Sequence, residues 1–394
     1  MRVKLGEVAT YINGYAFKPS DWSDTGVPII RIQDLTGNSY QANRYNGTYD
    51  KKYEVLPGDV LISWSASLGV YVWDGEPAVL NQHIFKVVFN KCPVDKSFFV
   101  HQVRSILMRA ASAAHGATMK HLTKPVFDAL PFYLPRLEEQ RRIAAVLDKV
   151  TDLIAKRQAQ LDKLDELVKS RFVEMFGDTV FNPMRWPSFP LAEMADIVSG
   201  ITKGRKTKEQ NLTEVPYMAV SNVKDGYIDW KTVKTISATQ AEINQYRLLP
   251  DDVLMTEGGD PDKLGRGAII QSPLENCIHQ NHVFRVRLNE TKILPMYFAE
   301  FLQHQKAKQY FLRCAKQTTG IASINMTQLK GLPTLVPPIA VQQRFCEEVK
   351  QVTKVKATIQ QDIDEFKKLN LSFEFHWVGY MKDEKKKKIQ VKML

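Results

Sequence analysis

A glycine-bearing loop, a histidine pair and a few carboxylates are the places in this 394-residue sequence where chemistry could start. Gly200-Ile-Thr-Lys-Gly204-Arg-Lys-Thr207 points toward a phosphate loop, whose backbone amides cradle phosphates, but it keeps three residues between its glycines and has Arg where the lysine belongs. It reads as a basic loop after a strand. A methyltransferase needs a glycine-rich cofactor loop and an Asn/Asp-Pro-Pro-aromatic segment; Asn182-Pro183-Met184 is neither and reads as a turn between domains. A nuclease needs clustered carboxylates and a lysine around a metal. Pro250-Asp251 with Glu290-Thr-Lys292 supplies the residue types, yet Asp251 stands where an internal copy of its segment has Gly58. His279-x-x-His282 suggests zinc, but on a strand positions i and i+3 face opposite sides. His282 also aligns with His83, which favours a shared structural role. Cys92, Cys277, Cys314 and Cys346 stand far apart with no CxxC pair, so neither a disulfide framework nor a structural zinc is expected, and a reducing cytosol fits. No catalytic residue and no metal site is expected.

Basic side chains offer another chemistry. Fifty-four Lys and Arg against 43 Asp and Glu leave a formal charge of +11. That surplus favours polyanions, nucleic acid ahead of membranes. Lys203, Arg205, Lys206 and Lys208 crowd one loop and suit phosphate neutralisation, and Lys18, Arg31 and Arg44, with the neutral Gln33 among them, form a comparable DNA-contact set near the start. Arginine can read guanine and Asn or Gln adenine in the major groove, so Arg31, Gln33, Asn222 and Arg205 are the expected base readers. Ser63, Ser65, Glu257 and Lys263 follow two similar strand segments and are further DNA-contact candidates.

The elements that must position these residues come in duplicate. Leu5-Gly-Glu-Val-Ala-Thr-Tyr-Ile-Asn-Gly14 returns as Leu191-Ala-Glu-Met-Ala-Asp-Ile-Val-Ser-Gly200. Val27-Pro-Ile-Ile-Arg-Ile-Gln-Asp-Leu35 returns as Val215-Pro-Tyr-Met-Ala-Val-Ser-Asn-Val223, and Leu56-Pro-Gly-Asp-Val-Leu-Ile-Ser63 as Leu249-Pro-Asp-Asp-Val-Leu-Met-Thr256. Gln82-His-Ile-Phe-Lys-Val87 matches Asn281-His-Val-Phe-Arg-Val286, and 130–143 matches 332–345. The blocks keep their order while the spacing drifts by loop-sized insertions, which is a tandem duplication. The length suits at least two domains, 44% hydrophobic and 25% charged residues exclude bulk disorder, and no apolar run could span a membrane. The N-terminal Met-Arg-Val-Lys-Leu-Gly-Glu has no apolar core for a secretory leader.

Each copy has two parts. Residues 1–134 and 189–336 carry β-branched and aromatic runs bounded by turn residues, at 27–32, 60–63, 85–89, 217–220, 253–256 and 283–288, which predict strands. Helices are predicted near 100–114 and 294–315. The second part of each copy is a heptad helix. Ile143, Leu147, Val150, Ile154, Arg157, Leu161, Leu164 and Val168 alternate steps of four and three. Phe345, Val349, Val352, Lys356, Ile359, Ile363, Phe366, Asn370 and Phe373 do the same, with Arg157, Lys356 and Asn370 as polar seam residues able to specify register. Pro135 and Pro337-Pro338 lead into the helices. The expected fold is mixed α+β: two α/β domains in tandem, separated by two long antiparallel helices that form an intramolecular coiled coil. The expected divisions are a first domain at 1–134, a helical spacer at 135–178, a linker at 179–188, a second domain at 189–336, a second spacer at 337–380 and a basic, flexible tail at 381–394.

Nearly the whole chain resembles the DNA-specificity (S) subunit of type I restriction–modification systems. The resemblance is carried by Leu130-Pro-Phe-Tyr-Leu-Pro-Arg-Leu-Glu-Glu-Gln-Arg-Arg-Ile143 with its heptad helix, by Ile324-Asn325 and Leu332-Pro-Thr-Leu-Val-Pro-Pro-Ile339, and by the block at 57–63. The two ends differ: the first helix closes with Phe172-Val-Glu-Met-Phe-Gly-Asp178, the second with Phe373-Glu-Phe-His-Trp-Val-Gly-Tyr380 and lysines. The resemblance implies two target-recognition domains, each reading half of a bipartite site on double-stranded DNA. It implies helices that dock two methyltransferase (modification) subunits, to which restriction (translocase–nuclease) subunits add. Ile143, Leu147, Ile154, Leu161, Phe345, Val349, Ile359 and Ile363 mark those docking helices. No cofactor is expected on this chain; S-adenosylmethionine, Mg2+ and ATP are expected on the partners, in a prokaryotic cytoplasm. The alternative is a coiled-coil structural adaptor that binds protein only.

Overall fold

The computed structural model describes residues 1–38, 43–113, 122–205, 211–259, 264–318 and 321–391, and residues 370–391 by their backbone. Asn370 and Phe373 of the heptad, as side chains, and Lys206, Lys208 and Lys263 lie outside the described residues. The chain divides into two compact units: Met1–Gln158 together with the residues from Gln361 on, and Ala159–Gln360. The sequence boundaries at 134 and 336 part domains from helices. Compactness instead divides both helices, because their ends are built into the domain cores.

In the first unit, Thr10–Asn13, Ile84–Val88, Val60–Ser63 and Gly69–Val72 form an antiparallel sheet in that order. Hydrophobic side chains on Val60 and Ile62 meet Phe85, Val87 and the helix Lys96–Ala113 through Phe98, Phe99, Val103 and Leu107. A second sheet runs Arg44–Tyr45, Val27–Ile30, Ala78–Leu80, Glu54–Val55, and Val27–Ile30 lies parallel to Ala78–Leu80. The second unit repeats this plan. Ala195–Ser199, Val283–Leu288, Val253–Thr256 and Gly267–Ile269 make the antiparallel sheet, and Thr213–Met218 runs parallel to Ile278–His279 with Lys234–Ala238 on its other side. The duplication read from sequence is thus a duplication of topology. The helix expected at 294–315 is broken into Pro295–Phe301 and Gln305–Cys314. Asp251 takes a φ of 68° and Gly58 a φ of 90°, so both serve the same left-handed turn, and the carboxylate reading of Asp251 loses its ground.

The long helices are Leu137–Phe176 and Ile339–Val391. The second continues past 380 through the lysine-rich segment expected to be a flexible tail. Lysine and glutamate are good helix formers and no proline interrupts them. Ile143, Ala144 and Leu147 join the core of the first unit. Phe172, Phe176 and Phe345 join that of the second, where Phe172 stacks on Tyr297 at 5.5 Å and Phe345 meets Phe172 edge-on at the same distance. Each such pair adds about 0.5–1.5 kcal/mol beyond its buried area.

One buried amide fastens each long helix to its domain. Gln140 Oε1 accepts from the Asp95 amide at 2.8 Å while its Nε2 donates to the Pro135 carbonyl at 2.9 Å. Gln342 repeats this with the Leu294 amide and the Pro337 carbonyl, both at 2.8 Å. In the second unit the helices pair antiparallel: Lys356 bonds Asp165, and Arg171 grips Glu348 with both arms at 2.6 and 2.9 Å. In the first unit Arg157 reaches Asp362 at 2.9 Å. Two of the polar seam residues therefore meet an acid on the facing helix.

Candidate nucleic-acid interface

The polar residues converge where the two parallel strands of each unit end. Ligands of parallel sheets gather beyond strand carboxyl ends, where backbone groups and loops point outward. In the first unit Val27–Ile30 leads into the turn Ile32–Leu35, and Ala78–Leu80 leads into Asn81-Gln82-His83. The loop after Gly14 lies against both: the Tyr15 amide donates to the Leu80 carbonyl at 2.8 Å, and the Gln82 amide to the Tyr15 carbonyl at 2.8 Å. The second unit builds the same frame. The Ile201 amide donates to the His279 carbonyl at 2.8 Å and the Asn281 amide to the Ile201 carbonyl at 2.9 Å. A glycine is required at the crossing in both, since a Cβ on Gly14 would stand 2.0 Å from the Asn81 carbonyl oxygen and one on Gly200 1.9 Å from that of His279. The next segment joins identically, Trp64 N donating to the His83 carbonyl at 3.2 Å and Glu257 N to that of His282 at 3.0 Å.

The frame is common and the displayed side chains differ. In the first unit the Trp64 indole stacks on Phe85, lies 4.9 Å from the His83 ring and donates to Asn13 at 3.1 Å. In the second, Glu257 and His282 form a carboxylate–imidazole pair at 2.5 Å. Asn81 and Gln82 correspond to Gln280 and Asn281, all half-buried amides of the type that pairs with adenine, with Asn81 Oδ1 accepting from the Gln82 amide at 2.8 Å and Asn281 Nδ2 bonding His282 Nε2 at 3.4 Å. The sequence reading missed these four, although the repeated block beginning at Gln82 and Asn281 held the signal. His83 and His282 share a backbone role, not a side-chain one. His279 is buried with Nδ1 donating to the Val283 carbonyl at 2.7 Å. Burial pushes its pKa down to about 4, so it is neutral near pH 7. Among the described residues no group of three His, Cys, Asp or Glu could hold a metal.

Packing corrects several expected contacts. Asn222 is 1% exposed; its Oδ1 accepts from the Ala219 amide at 3.0 Å and its Nδ2 donates to the Asp229 carbonyl at 2.9 Å, so both ends of its amide are engaged in shaping a loop. Ser63 is fully buried and donates to the Ser67 carbonyl; Ser65 is buried too. Arg205 is spent on Glu242 at 2.6 Å and the Ser237 carbonyl at 3.2 Å, and in return holds the Glu242 carboxyl below its usual range. Arg44 is held by the Gly26 carbonyl at 2.6 Å and Glu76 at 2.7 Å. Arg31 is half-buried, 5.8 Å over the Trp22 ring and 3.9 Å from Asp34. Lys18 and Lys203 stand exposed, Gln33 half-buried in the turn Ile32–Leu35, and Glu257 beside His282.

The helices show a similar exchange. Ile143, Leu147, Leu161, Phe345, Ile359 and Ile363 are buried within this chain, and Ile154 and Val349 half-buried, so the first six pack inside the chain and mark the helices without offering much surface themselves. Another stripe is exposed. Val146, Leu153 and Leu369 in the first unit, and Leu167 and Val355 in the second, each stand three residues after a seam position. Three residues on is the neighbouring strip of the same helix face.

The family described as type I restriction modification DNA specificity domain matches residues 1–165 and 183–390. The EcoBI specificity subunit of Escherichia coli is 23% identical over 392 residues, an alignment covering 92% of this chain and 81% of the relative. The EcoKI specificity subunit of Escherichia coli strain K12 is 22% identical over 391 residues, covering 91% and 83%. Two solved structures share the fold. One is a chain from a study of assembly and conformational transition of the type I R-M system, with TM-score 0.54, 18% identity and coverage of 96% and 97%. The other is the S subunit of a type I restriction–modification system from M. genitalium, with TM-score 0.52, 13% identity and coverage of 95% and 94%. With the family domain matched in both of its halves, the chain belongs to the type I restriction–modification DNA-specificity family, whose members are non-catalytic DNA-recognition subunits.

Proposed function

We propose that this chain selects a bipartite site on double-stranded DNA, one half per domain, for a type I restriction–modification complex. The observation that carries this reading is the common frame at the strand ends, which presents Trp64, Asn81 and Gln82 in one unit and Glu257, Gln280, Asn281 and His282 in the other. One scaffold with two displays suits two half-sites of different sequence, since bases are told apart by the hydrogen-bonding groups offered to them. Exposed Lys18 and Lys203, in the segments that follow Gly14 and Gly200, would serve as phosphate contacts. We further propose that two methyltransferase subunits dock on the helices along the stripe of Val146, Leu153, Leu167, Val355 and Leu369, and that restriction subunits join through them. Exposed valines and leucines spaced seven or fourteen residues apart beside a coiled-coil seam are what a partner helix would cover. S-adenosylmethionine, Mg2+ and ATP belong, on this reading, to the partners.

The test is to express the chain with its methyltransferase partner in a host lacking such a system and map methylated adenines across the genome. One two-part motif with a fixed unread gap is the expected result, absent when either chain is omitted. A methyltransferase complex whose DNA affinity is absent or indifferent to salt would support the adaptor reading instead.

A further inference from the structure

The segment 223–231 of the second unit follows Asn222 directly and is held by several hydrogen bonds at both its arms and its tip. Val223 and Ile228 bridge its two arms and pack into the core. The Lys224 amide donates to the Tyr227 carbonyl at 3.0 Å, and the Asp229 amide to the Asn222 carbonyl at 2.8 Å. Asn222 returns the bond through its side chain at 2.9 Å, and the Lys231 amide donates to Asp229 Oδ1 at 3.0 Å. At the tip Gly226, with φ of 80°, donates to the Gly267 carbonyl at 3.1 Å. Gly267 pairs with Met255, two residues before Glu257, so the tip leans on the strand Gly267–Ile269, the neighbour of the strand that leads to Glu257.

This rigid loop holds aromatic rings in water. Tyr227 is 61% exposed and Trp230 39%, and no ring contact among the described residues involves either. Lys231 and Lys234 stand exposed behind them, with Lys224 half-buried at the tip. Lys224 and Lys231 stand beyond Asp225, which pairs with Lys308 at 3.5 Å, and Asp229, which accepts from the Lys231 amide. An aromatic ring held out by an ordered turn with lysines on either side of it is suited to stack on or wedge between bases while the ammonium groups meet phosphates. Resting on the DNA-recognition reading above, we propose that the 223–231 loop is a specificity element of the second unit, with Tyr227 touching bases and Lys224 and Lys231 touching backbone phosphates.

The experiment uses the full chain with its methyltransferase partner and a duplex bearing the site mapped by methylation. 2-Aminopurine is placed at each position of both half-sites in turn. The wild-type complex should change the fluorescence at one position in one half-site. Tyr227→Ala should abolish that change and weaken binding about tenfold or more, whereas Tyr227→Phe retains both, because stacking needs the ring and not the hydroxyl. Lys224→Gln with Lys231→Gln should weaken all duplexes alike and lower the salt slope by about 2. Unchanged affinity and fluorescence in Tyr227→Ala would overturn the assignment. So would loss of the methyltransferase from the complex at unchanged DNA affinity, which would make the loop a protein contact. A wild-type complex that binds no duplex at all would overturn the DNA-recognition reading itself.

Discussion

His279 shows how far residue type alone falls short of residue chemistry. Its spacing from His282 suggested ligands, yet the fold buries one ring and exposes the other. Burial first, and then the nearby Arg285 and Arg287, lower its pKa to about 4 against the opposing Val283 carbonyl and Asp252. The unfolded chain therefore takes up a proton near 6.5 that the folded chain refuses until about pH 4. This contribution to stability is complete above 6.5 and is lost as pH falls through that window, by up to about 3 kcal/mol. Urea unfolding of wild type and His279→Asn at pH 7.5 and 5 checks it: the variant should lose less stability between the two. Gln342 makes the opposite point, an unremarkable residue in sequence that the fold uses fully. In Gln342→Leu the buried Leu294 amide and Pro337 carbonyl lose their partner, with an expected cost of about 2–4 kcal/mol. A change under 0.5 kcal/mol in urea unfolding would show that water or a shifted backbone replaces the amide.

At the scale of elements, the heptads located the helices because a repeat of alternating four and three is an unambiguous sign of one buried face. They did not say what lies on the rest of each helix. Ile143 and Phe345 are covered by the domains from which their helices spring, which leaves the strip three residues on as the exposed apolar surface. Leu153→Glu and Leu167→Glu should thus leave helix content and melting temperature nearly unchanged while each weakens methyltransferase binding about 30-fold or more. Co-purification and titration calorimetry distinguish this from a seam change such as Leu161→Glu, which buries a charge and should unfold the pair. Strands were legible for the same reason as helices, 60–63 and 253–256 matching Val60–Ser63 and Val253–Thr256 residue for residue. The break between Phe301 and Gln305 was not, because Leu302-Gln-His304 carries neither Gly nor Pro to mark it.

At the scale of the whole molecule, the duplication makes each recognition domain a replaceable part. Residues 1–134 start and end in one two-stranded pair, Arg2–Lys4 with Pro131–Tyr133, and 189–336 likewise in Ser188–Pro190 with Pro333–Leu335. Domains whose chain ends meet tolerate exchange. Replacing 1–134 by the corresponding domain of another specificity subunit should change one half of the methylated motif and leave the other half as it was. Methylation mapping reads this directly, and a motif altered in both halves would refute independent reading. The same exchange of 189–336 should alter the complementary half.

By itself the sequence determined the duplication, the mixed fold, the two heptad helices and the family, because repeats, periodicity and turn residues are local signals that survive without coordinates. It also showed that the charge suits a polyanion. Only the tertiary structure decided which polar groups remain for a ligand. Asn222, Ser63 and Arg205 have the right chemistry for DNA, but each is consumed by a neighbour that no spacing in the chain reveals. Gln82, Gln280 and Tyr227 are left partly or largely exposed because parallel strands end, and a pinned loop turns outward, at places fixed by contacts between distant segments. A side chain's partners depend on such contacts, and burial settles them in favour of the fold before any ligand arrives.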